Sequence, residues 1–321
     1  MRLRSVPSAI ATHFAFLAIV IALSAAQTSS AAEQSTGIPA WLAGHVGEGP
    51  GQIAPPVLQR ARALYMQKLS AGAVRNPCYF AMDATRPNGG DRFYVICESS
   101  QAFRAIGAGH GSGRNLAGAA NFANGRECVK NFGNAMDSDL TAGGAYVTSE
   151  TKTSFKGYYR AAAGQDAAFI RTFIQFDGEG ETANARQRAI GGHPSAVLRA
   201  QCLRKGNGSP YADQDGYVPF GKLVDYAGGR SNGCTSWSPA NAQQIISMVK
   251  GSPTTLYIYP QADDIRAVAA RRAGAYWNAA CLRSIGAPKY WPRQTLEPII
   301  AQWKAEHPPA PAKPLPICAG G

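Results

Sequence analysis

The segment GRSNGCTSW, residues 229–237, contains the cysteine whose surroundings best suit covalent chemistry, Cys234. A cysteine acts as a nucleophile when a neighbouring base takes its proton or stabilises its thiolate. Gly233 lets the backbone turn sharply, and the amides of Gly233 and Cys234 could then point toward one developing oxyanion. The segment predicts either the nucleophile of an acyltransferase or, as the structural alternative, one half of a disulfide.

The histidines are the candidate bases for this thiol: His13, His45, His110, His193 and His307. Only His110 and His193 lie inside the β-rich body of the chain. His193 ends a predicted strand, residues 186–193 (RQRAIGGH), and precedes Cys234 by 41 positions. Papain-like enzymes have the cysteine first, so this order does not match theirs.

The cysteine inventory decides how many thiols can stay free: Cys78, Cys97, Cys128, Cys202, Cys234, Cys281 and Cys318. An odd number leaves at least one thiol without a partner in the chain. No two cysteines have CxxC spacing, which argues against a thiolate metal site or a redox pair. Counting back from the Asn-Gly-Gly turn of a predicted hairpin places Cys78 opposite Cys97, so we expect a disulfide there.

Residues 1–32 are expected to be a secretory signal peptide rather than part of the fold. Two arginines form a basic n-region, and Phe14 to Leu23 form an apolar h-region too short to span a bilayer comfortably. Small residues favour cleavage after Ala26 or Ala32. We therefore expect an exported protein, periplasmic or extracellular, without stable membrane insertion after cleavage; a retained N-terminal anchor is the alternative.

The formal net charge is +12, so acidic partners such as a cell-wall polymer, a membrane surface or nucleic acid suit the chain. A secreted nuclease or nucleic-acid binder is the weaker hypothesis, because the sequence lacks the acidic metal-ligand cluster or two-histidine site that phosphodiester chemistry needs. We expect no nucleic-acid partner, no metal and no cofactor. The sequence gives no indication of oligomeric state.

The body of the chain has the pattern of a β-rich domain. Residues 78–97 (CYFAMDATRPNGGDRFYVIC) predict a hairpin around an Asn-Gly-Gly turn. Residues 167–176 (AAFIRTFIQF) and 254–259 (TTLYIY) predict further strands. The 35 glycines, dense over residues 105–145, indicate many turns rather than a helical bundle.

Helices are expected outside this body and just after the cysteine segment. Pro55 to Leu69 has apolar residues at helical spacing. After Cys234, Ser238 suits a helix N-cap and Gly251 suits the stop of that helix. Residues 262–306 are mostly helical by pattern, and the proline-rich tail that follows predicts an extended chain.

Taken together, the early hairpin, the segment AGHG at His110, the strand ending at His193, the motif GRSNGC and an apolar last strand resemble the exported L,D-transpeptidases of peptidoglycan. The likeness is greatest to the branch described as murein L,D-transpeptidase catalytic-domain-like, and it covers residues 75–260. It implies a mainly β (α+β) fold, a β-sandwich catalytic domain with a short N-terminal helix and a helical C-terminal extension.

By this resemblance, Cys234 is the nucleophile, His193 is the base, and the amides of Gly233 and Cys234 hold the oxyanion. His110 lies near the site or is structural. Three more residues are expected to shape the site or bind substrate: Arg230, Ser231 and Asn232. The sequence departs from the family pattern where an arginine often follows the cysteine, because Thr235 to Trp237 stand there.

The resemblance implies an exported acyltransferase that attacks peptidoglycan tetrapeptide stems through a thioester on Cys234. An amine of another stem as acceptor gives a 3→3 cross-link, and water as acceptor gives an L,D-carboxypeptidase. The alternative is a catalytically inactive wall-binding protein that retains the fold. A disulfide between Cys202 and Cys234 would favour that alternative.

The same reading divides the chain into four parts. The expected parts are a signal peptide (1–32), an N-terminal segment with one helix (33–74), the catalytic domain (75–260) and a helical, proline-rich C-terminal extension (261–321).

Overall fold

Residues 78–97 form the antiparallel hairpin that their sequence predicts. Its strands are β1 (Cys78–Asp83) and β2 (Phe93–Cys97), and Cys78 lies opposite Cys97. Every residue of both strands is buried, so the hairpin is covered on both faces and lies inside the protein rather than at its surface.

The structure is a computed structural model, and it describes residues 37–162 and 164–319. The expected signal peptide, residues 1–32, lies outside the described residues. Among the residues that are described, no helix is long and apolar enough to cross a membrane.

The chain divides into two compact units, Met1–Gly44 and His45–Gly321. The described part of the first unit is short and includes most of a 3₁₀ helix, Ala40–His45. The elements that follow all belong to the second unit.

The remaining strands are β3 (Ala102–Ile106), β4 (His110–Gly111), β5 (Asn115–Leu116), β6 (Ala120–Asn121), β7 (Asn131–Gly133), β8 (Gly144–Arg160), β9 (Asp166–Gly178), β10 (Gly191–Pro194), β11 (Ala196–Lys205), β12 (Tyr217–Asp225), β13 (Arg230–Ser231), β14 (Thr235–Trp237), β15 (Thr255–Tyr259) and β16 (Lys289–Trp291). The helices are α1 (Pro55–Ser70), α2 (Pro239–Val249), α3 (Ala262–Ala269), α4 (Ala279–Ile285) and α5 (Arg293–Glu306), with a 3₁₀ turn at Gly180–Thr182.

Ten strands form one mixed sheet in the order β14-β10-β9-β8-β15-β1-β2-β3, with the β11–β12 hairpin joined to it through β8. The β1–β15 and β10–β14 pairs are parallel, and the long β8–β9 hairpin is antiparallel. Among the described residues there are also three two-stranded sheets, β13–β4, β16–β7 and β5–β6. The predicted mainly β fold with an N-terminal helix and a helical C-terminal extension is confirmed.

The core lies between this sheet and the helices that cover it. Helix α1 contacts β1 and β15, and α2 contacts β10 and β14. The indole ring of Trp237, in β14, is fully buried and meets the ring of Phe93 edge-on at 5.1 Å between centroids. Burying large apolar and aromatic side chains is the main stabilising contribution to such a core, and here it fixes β14, the strand that follows the cysteine, beside its partner β10.

Helix α2 begins and ends where the sequence predicts. The side chain of Ser238 accepts a hydrogen bond from the amide of Asn241 at 3.3 Å, and a proline follows at the start of the helix. Gly251 has φ +74°, a conformation that glycine adopts without strain. These local signals are confirmed.

Three disulfides join six of the seven cysteines and leave Cys234 free. The pairs are Cys78–Cys97, Cys128–Cys281 and Cys202–Cys318. The second links α4 to the loop before β7, and the third links the tail to β11. Because Cys202 pairs with Cys318, it does not oxidise the thiol of Cys234.

The strand predicted over residues 186–193 is wrong for most of its length. Residues 183–189 form turns, and β10 begins only at Gly191. The backbone bonds here are local, from the amide of Arg188 to the carbonyl of Asn184 at 3.0 Å. Ala189 has φ +52°, and such a backbone cannot continue a strand.

Candidate active site

Two pairs of short strands hold the segment that contains Cys234. Before the cysteine, β13 pairs with β4 in parallel, and after it β14 pairs with β10 in parallel, with Thr235 opposite Gly192. Residues 232–234 connect the two sheets. The turn that carries the thiol is therefore fixed at both ends by backbone hydrogen bonds.

Cys234 is a buried, neutral thiol in the resting protein. Its sulfur donates a hydrogen bond to the carbonyl of Ala189, with 3.5 Å between Sγ and O. Burial raises the pKa of Cys234 above its ordinary value, and the amide of Gly191 and the charges of Arg171 and Arg188 oppose that shift. Because the thiol is protonated near neutral pH, nucleophilic attack by it requires a base.

The turn geometry requires glycine at position 233. Gly233 has φ +99°, and a Cβ atom there would lie 2.9 Å from Cδ1 of Ile190 and 3.0 Å from the carbonyl oxygen of Leu140. Among the described residues, neither the amide of Gly233 nor that of Cys234 has a hydrogen-bond acceptor. Two adjacent unbonded N–H groups are the donors that an oxyanion would need.

The three residues before Gly233 differ in burial and in hydrogen-bond partners. The hydroxyl of Ser231 is buried and donates to the carbonyl of Cys234, which closes the turn. Asn232 is exposed beside the thiol. Arg230 is exposed, and its guanidinium donates to the carbonyl of Asn124 at 2.9 Å, away from the sulfur's surroundings.

His193 is a buried imidazole on β10. Its ring stacks on Phe173, with 6.4 Å between centroids, and its Nδ1 lies 2.9 Å from the carbonyl oxygen of Pro194. A carbonyl only accepts, so Nδ1 carries the proton and Nε2 of the neutral ring is left as a base. Burial, and then the charge of Arg171, lowers the pKa of His193 to about 4.

His193 and Cys234 are brought together by one pair of strands, but their side chains are not hydrogen-bonded to each other among the described residues. His193 lies on β10, and Cys234 directly precedes β14, the strand that pairs with β10. Arg171 lowers the pKa of both groups, so its charge lies within electrostatic range of both. No hydrogen bond between the imidazole and the thiol is found among the described residues.

His110 is fully engaged in structural contacts. Its Nδ1 accepts from Nη2 of the buried Arg92 at 2.8 Å, so Nε2 carries the proton and donates to the carbonyl of Gly125 at 3.1 Å. Burial and the charge of Arg92 hold the pKa of His110 well below its ordinary value. His110 holds β4, the partner of β13, and thus supports the cysteine segment from behind.

A cleft of about 410 Å³ opens onto the sulfur. Its lining consists of Arg114, Met136, Asp137, Asp139, Gln187, Arg188, Ala189, Asn232 and Cys234. Asp137, Asp139 and Ala189 have φ between +52° and +57°, a strained conformation for non-glycine residues that is concentrated at functional sites. Of the residues predicted for the site, Cys234 and Asn232 line this cleft, whereas His193, Ser231, Arg230 and His110 do not.

Two arginines near the thiol, Arg171 and Arg188, were not predicted from the sequence. Arg188 falls within the strand that was wrongly predicted for residues 186–193. It lines the cleft because residues 183–189 form turns instead. Arg171 lies on β9, on the side of His193. The run RQR at 186–188 was the available signal, because charged residues are rare in the interior of a buried strand.

The L,D-transpeptidase catalytic domain family matches residues 51–259, more than half of the chain. This chain therefore belongs to the L,D-transpeptidase catalytic domain family, a family of peptidoglycan-modifying transpeptidases, and the resemblance seen in the sequence is confirmed. No curated protein and no solved structure gives a significant match. Within the described residues there is no cluster of three or more His, Cys, Asp or Glu residues that could hold a metal ion.

Proposed function

We propose that this chain is an exported cysteine L,D-transpeptidase that acts on peptidoglycan tetrapeptide stems through a thioester on Cys234. The observation that carries the proposal is a single free thiol in a glycine turn with two unbonded amides, on the strand pair that also carries His193. Family membership supplies the reaction class, and these residues supply the roles.

In the acylation step, Nε2 of His193 accepts the thiol proton as Sγ of Cys234 attacks the carbonyl carbon of the third stem residue. The resulting oxyanion accepts hydrogen bonds from the amides of Gly233 and Cys234. When the tetrahedral species collapses, the C–N bond breaks and the imidazolium gives its proton to the departing amine of the terminal D-alanine. The products are a thioester on Cys234 and free D-alanine.

In the deacylation step, the neutral amine of a second stem attacks the thioester carbonyl and gives a proton to Nε2 of His193; the C–S bond then breaks, and the imidazolium returns that proton to the sulfur of Cys234. A second cleft, of about 500 Å³, is lined by Pro194, the residue after the base, and by Thr172 and Lys250. Its position next to His193 supports an acceptor that approaches from that side. Water in place of the amine would give an L,D-carboxypeptidase.

Product analysis on defined muropeptides tests this function. We expect the mature protein, incubated with disaccharide-tetrapeptides, to release D-alanine and form 3→3 linked dimers, and we expect Cys234→Ala to do neither. His193→Asn is the second variant, because an asparagine amide can still donate to the carbonyl of Pro194; we expect a loss of about 10²- to 10⁴-fold. D-alanine release without dimers would identify a carboxypeptidase.

The inactive wall-binding protein is the competing function, and the structure removes its expected support because Cys202 pairs with Cys318 rather than Cys234. Its discriminating result would be cosedimentation with peptidoglycan sacculi together with no D-alanine release from any stem.

A further inference from the structure

Four charged side chains line the Cys234 cleft, and three of them form salt bridges among the described residues. Asp139 forms a salt bridge with Arg114, with 2.9 Å between Oδ2 and Nε, and Asp137 forms one with Lys304 at 2.6 Å. Both carboxylates of the cleft therefore already have a cation. Among the described residues Arg188 forms no salt bridge, which makes it the lining cation without a carboxylate partner.

The guanidinium of Arg188 is held beside the nucleophile by one contact. Its Nη2 donates to the carbonyl oxygen of Leu140 at 2.7 Å. A Cβ atom built on Gly233 would lie 3.4 Å from the same Nη2, so the guanidinium borders the turn that carries Cys234. A guanidinium has five N–H donors in a planar fork, and the Leu140 carbonyl uses one of them.

We propose that Arg188 binds the substrate carboxylate nearest the scissile bond, the terminal carboxylate of the D-residue that leaves. This inference rests on the proposed function, which brings that carboxylate within two bonds of the departing nitrogen. A planar guanidinium fork pairs with a carboxylate through two parallel N–H···O bonds. Arg188 thereby selects stems that end at the fourth residue over stems that are amidated or extended there.

The electrostatic surroundings favour an anion at this position. Burial is the largest influence on the pKa of Arg188 and lowers it, while the Tyr146 hydroxyl and the Cys234 thiol beside it are neutral, because burial raises the pKa of each. Arg188 is half-buried, and a partly desolvated cation that lacks a directly paired anion is stabilised when a ligand supplies one.

Arg171 is the alternative anion-binding residue. It also has no salt bridge among the described residues, and its buried Nε has no hydrogen-bond partner. It lies on β9, however, where its charge acts on His193, and it does not line the cleft that opens onto the sulfur. The cleft geometry therefore favours Arg188, and a test must separate the two.

Alkylation of the unreduced protein reads the charge preference of the cleft without any enzymatic turnover. Cys234 is the single free thiol of the chain, so iodoacetate and iodoacetamide both report on this residue. The measurement is the ratio of their second-order rate constants at pH 8.5, divided by the same ratio for glutathione. We expect the wild type to favour the anionic reagent by about tenfold, the effect of one hydrogen bond to a charged group.

Variants assign that preference to one side chain. We expect Arg188→Gln to abolish it and Arg188→Lys to retain part of it. Arg171→Gln removes the cation on the histidine side, which does not line the cleft, and is expected to keep the preference. Loss of the preference in Arg171→Gln but not in Arg188→Gln would overturn the assignment, as would a wild-type ratio equal to that of glutathione.

Two acyl-donor substrates then test whether Arg188 acts in the proposed reaction. Tetrapeptide stems ending in a carboxylate or in a carboxamide are compared by kcat/KM in the wild type and in Arg188→Gln. We expect a wild-type preference for the carboxylate of about tenfold or more, mostly in KM, and none in the variant. An equal preference in both proteins contradicts the role of Arg188. Failure of every donor to react, with the alkylation preference intact, contradicts the proposed function and leaves the anion site standing.

Discussion

At the residue scale, the two side chains proposed to react, Cys234 and His193, rest in their uncharged forms rather than as a thiolate–imidazolium pair. Burial raises the pKa of Cys234 and lowers that of His193, and each shift disfavours charge. In the proposed mechanism, proton transfer from sulfur to Nε2 therefore accompanies attack on the substrate. The resting thiol is correspondingly protected from oxidation, since the thiolate is the reactive species.

The pH dependence of kcat/KM follows from these pKa values. His193 must be neutral to act as a base, and its pKa is about 4, so protonation removes activity only as the pH falls through that value. We expect the acid limb to have its midpoint near pH 4 and the rate to be nearly flat from pH 5.5 to 7.5. A midpoint between pH 6 and 7 would contradict a buried, neutral base.

Replacing Gly233 tests the geometry of the turn. Gly233→Ala forces a non-glycine residue to φ +99° and places a Cβ 2.9 Å from Ile190. We expect the free energy of unfolding, measured in urea, to fall by about 2 to 4 kcal/mol, with loss of most activity. Gly251→Ala is the matched control, because Gly251 also has positive φ but no atom lies within 4 Å of the added carbon; we expect it to cost about 1 kcal/mol and leave activity unchanged.

At the scale of elements, helix α5 supports part of the wall of the Cys234 cleft. The carboxylate of Glu297 accepts from the amide of Met136 at 2.8 Å, and Lys304 pairs with Asp137. Leu296 and Leu140 belong to one buried apolar cluster below them. The C-terminal extension thus holds the loop that contributes three residues to the cleft lining.

Removing one of these contacts is expected to loosen the loop. Glu297→Gln weakens the bond to Met136 and also breaks the surface salt bridge between Glu297 and Arg293. Arg293→Gln breaks only the salt bridge and serves as the control. We expect KM to rise several-fold in the first variant with little change in kcat, and neither constant to change in the second. Equal effects in both would mean that the surface pair, not the loop contact, matters.

The elements that sequence could predict are those whose signals are local. The hairpin register, with Cys78 opposite Cys97, follows from one turn, and the ends of α2 follow from Ser238 and Gly251. The turns at 183–189 were mistaken for a strand because their hydrogen bonds leave no periodic pattern in sequence. The contact of α5 with the Met136 loop joins residues 161 positions apart, and no local pattern encodes such a pairing.

At the scale of the whole molecule, disulfides and buried histidines set the conditions under which the fold is stable. Cys128–Cys281 and Cys202–Cys318 each close a loop of more than 100 residues, and they tie the C-terminal extension to the loop before β7 and to β11. Closing long loops limits the conformational freedom of the unfolded chain. This arrangement suits an oxidising compartment.

The buried imidazole of His193 makes the fold less stable at low pH. An unfolded histidine titrates near 6.5, whereas His193 in the folded protein titrates at about 4, so the unfolded state binds a proton that the native state does not. Stability is therefore present above pH 6.5 and is lost as the pH falls toward 4. Between pH 7 and 4.5 we expect His193 to account for about 2 kcal/mol. The test is urea unfolding of the wild type and of His193→Asn at both pH values. We expect the free energy of unfolding to fall further between the two pH values in the wild type than in the variant. An equal fall in both proteins would contradict this role of His193.

A thioester between Cys234 and a stem peptide would change the mass of the protein, so intact-mass spectrometry of the unreduced protein detects it. After brief incubation with a disaccharide-tetrapeptide and acid quench, we predict an adduct equal to the donor minus D-alanine that maps to the peptide containing Cys234. Cys234→Ala should show no adduct under the same conditions. An unmodified wild-type protein that nevertheless releases D-alanine, or an adduct that persists in Cys234→Ala, would contradict the account.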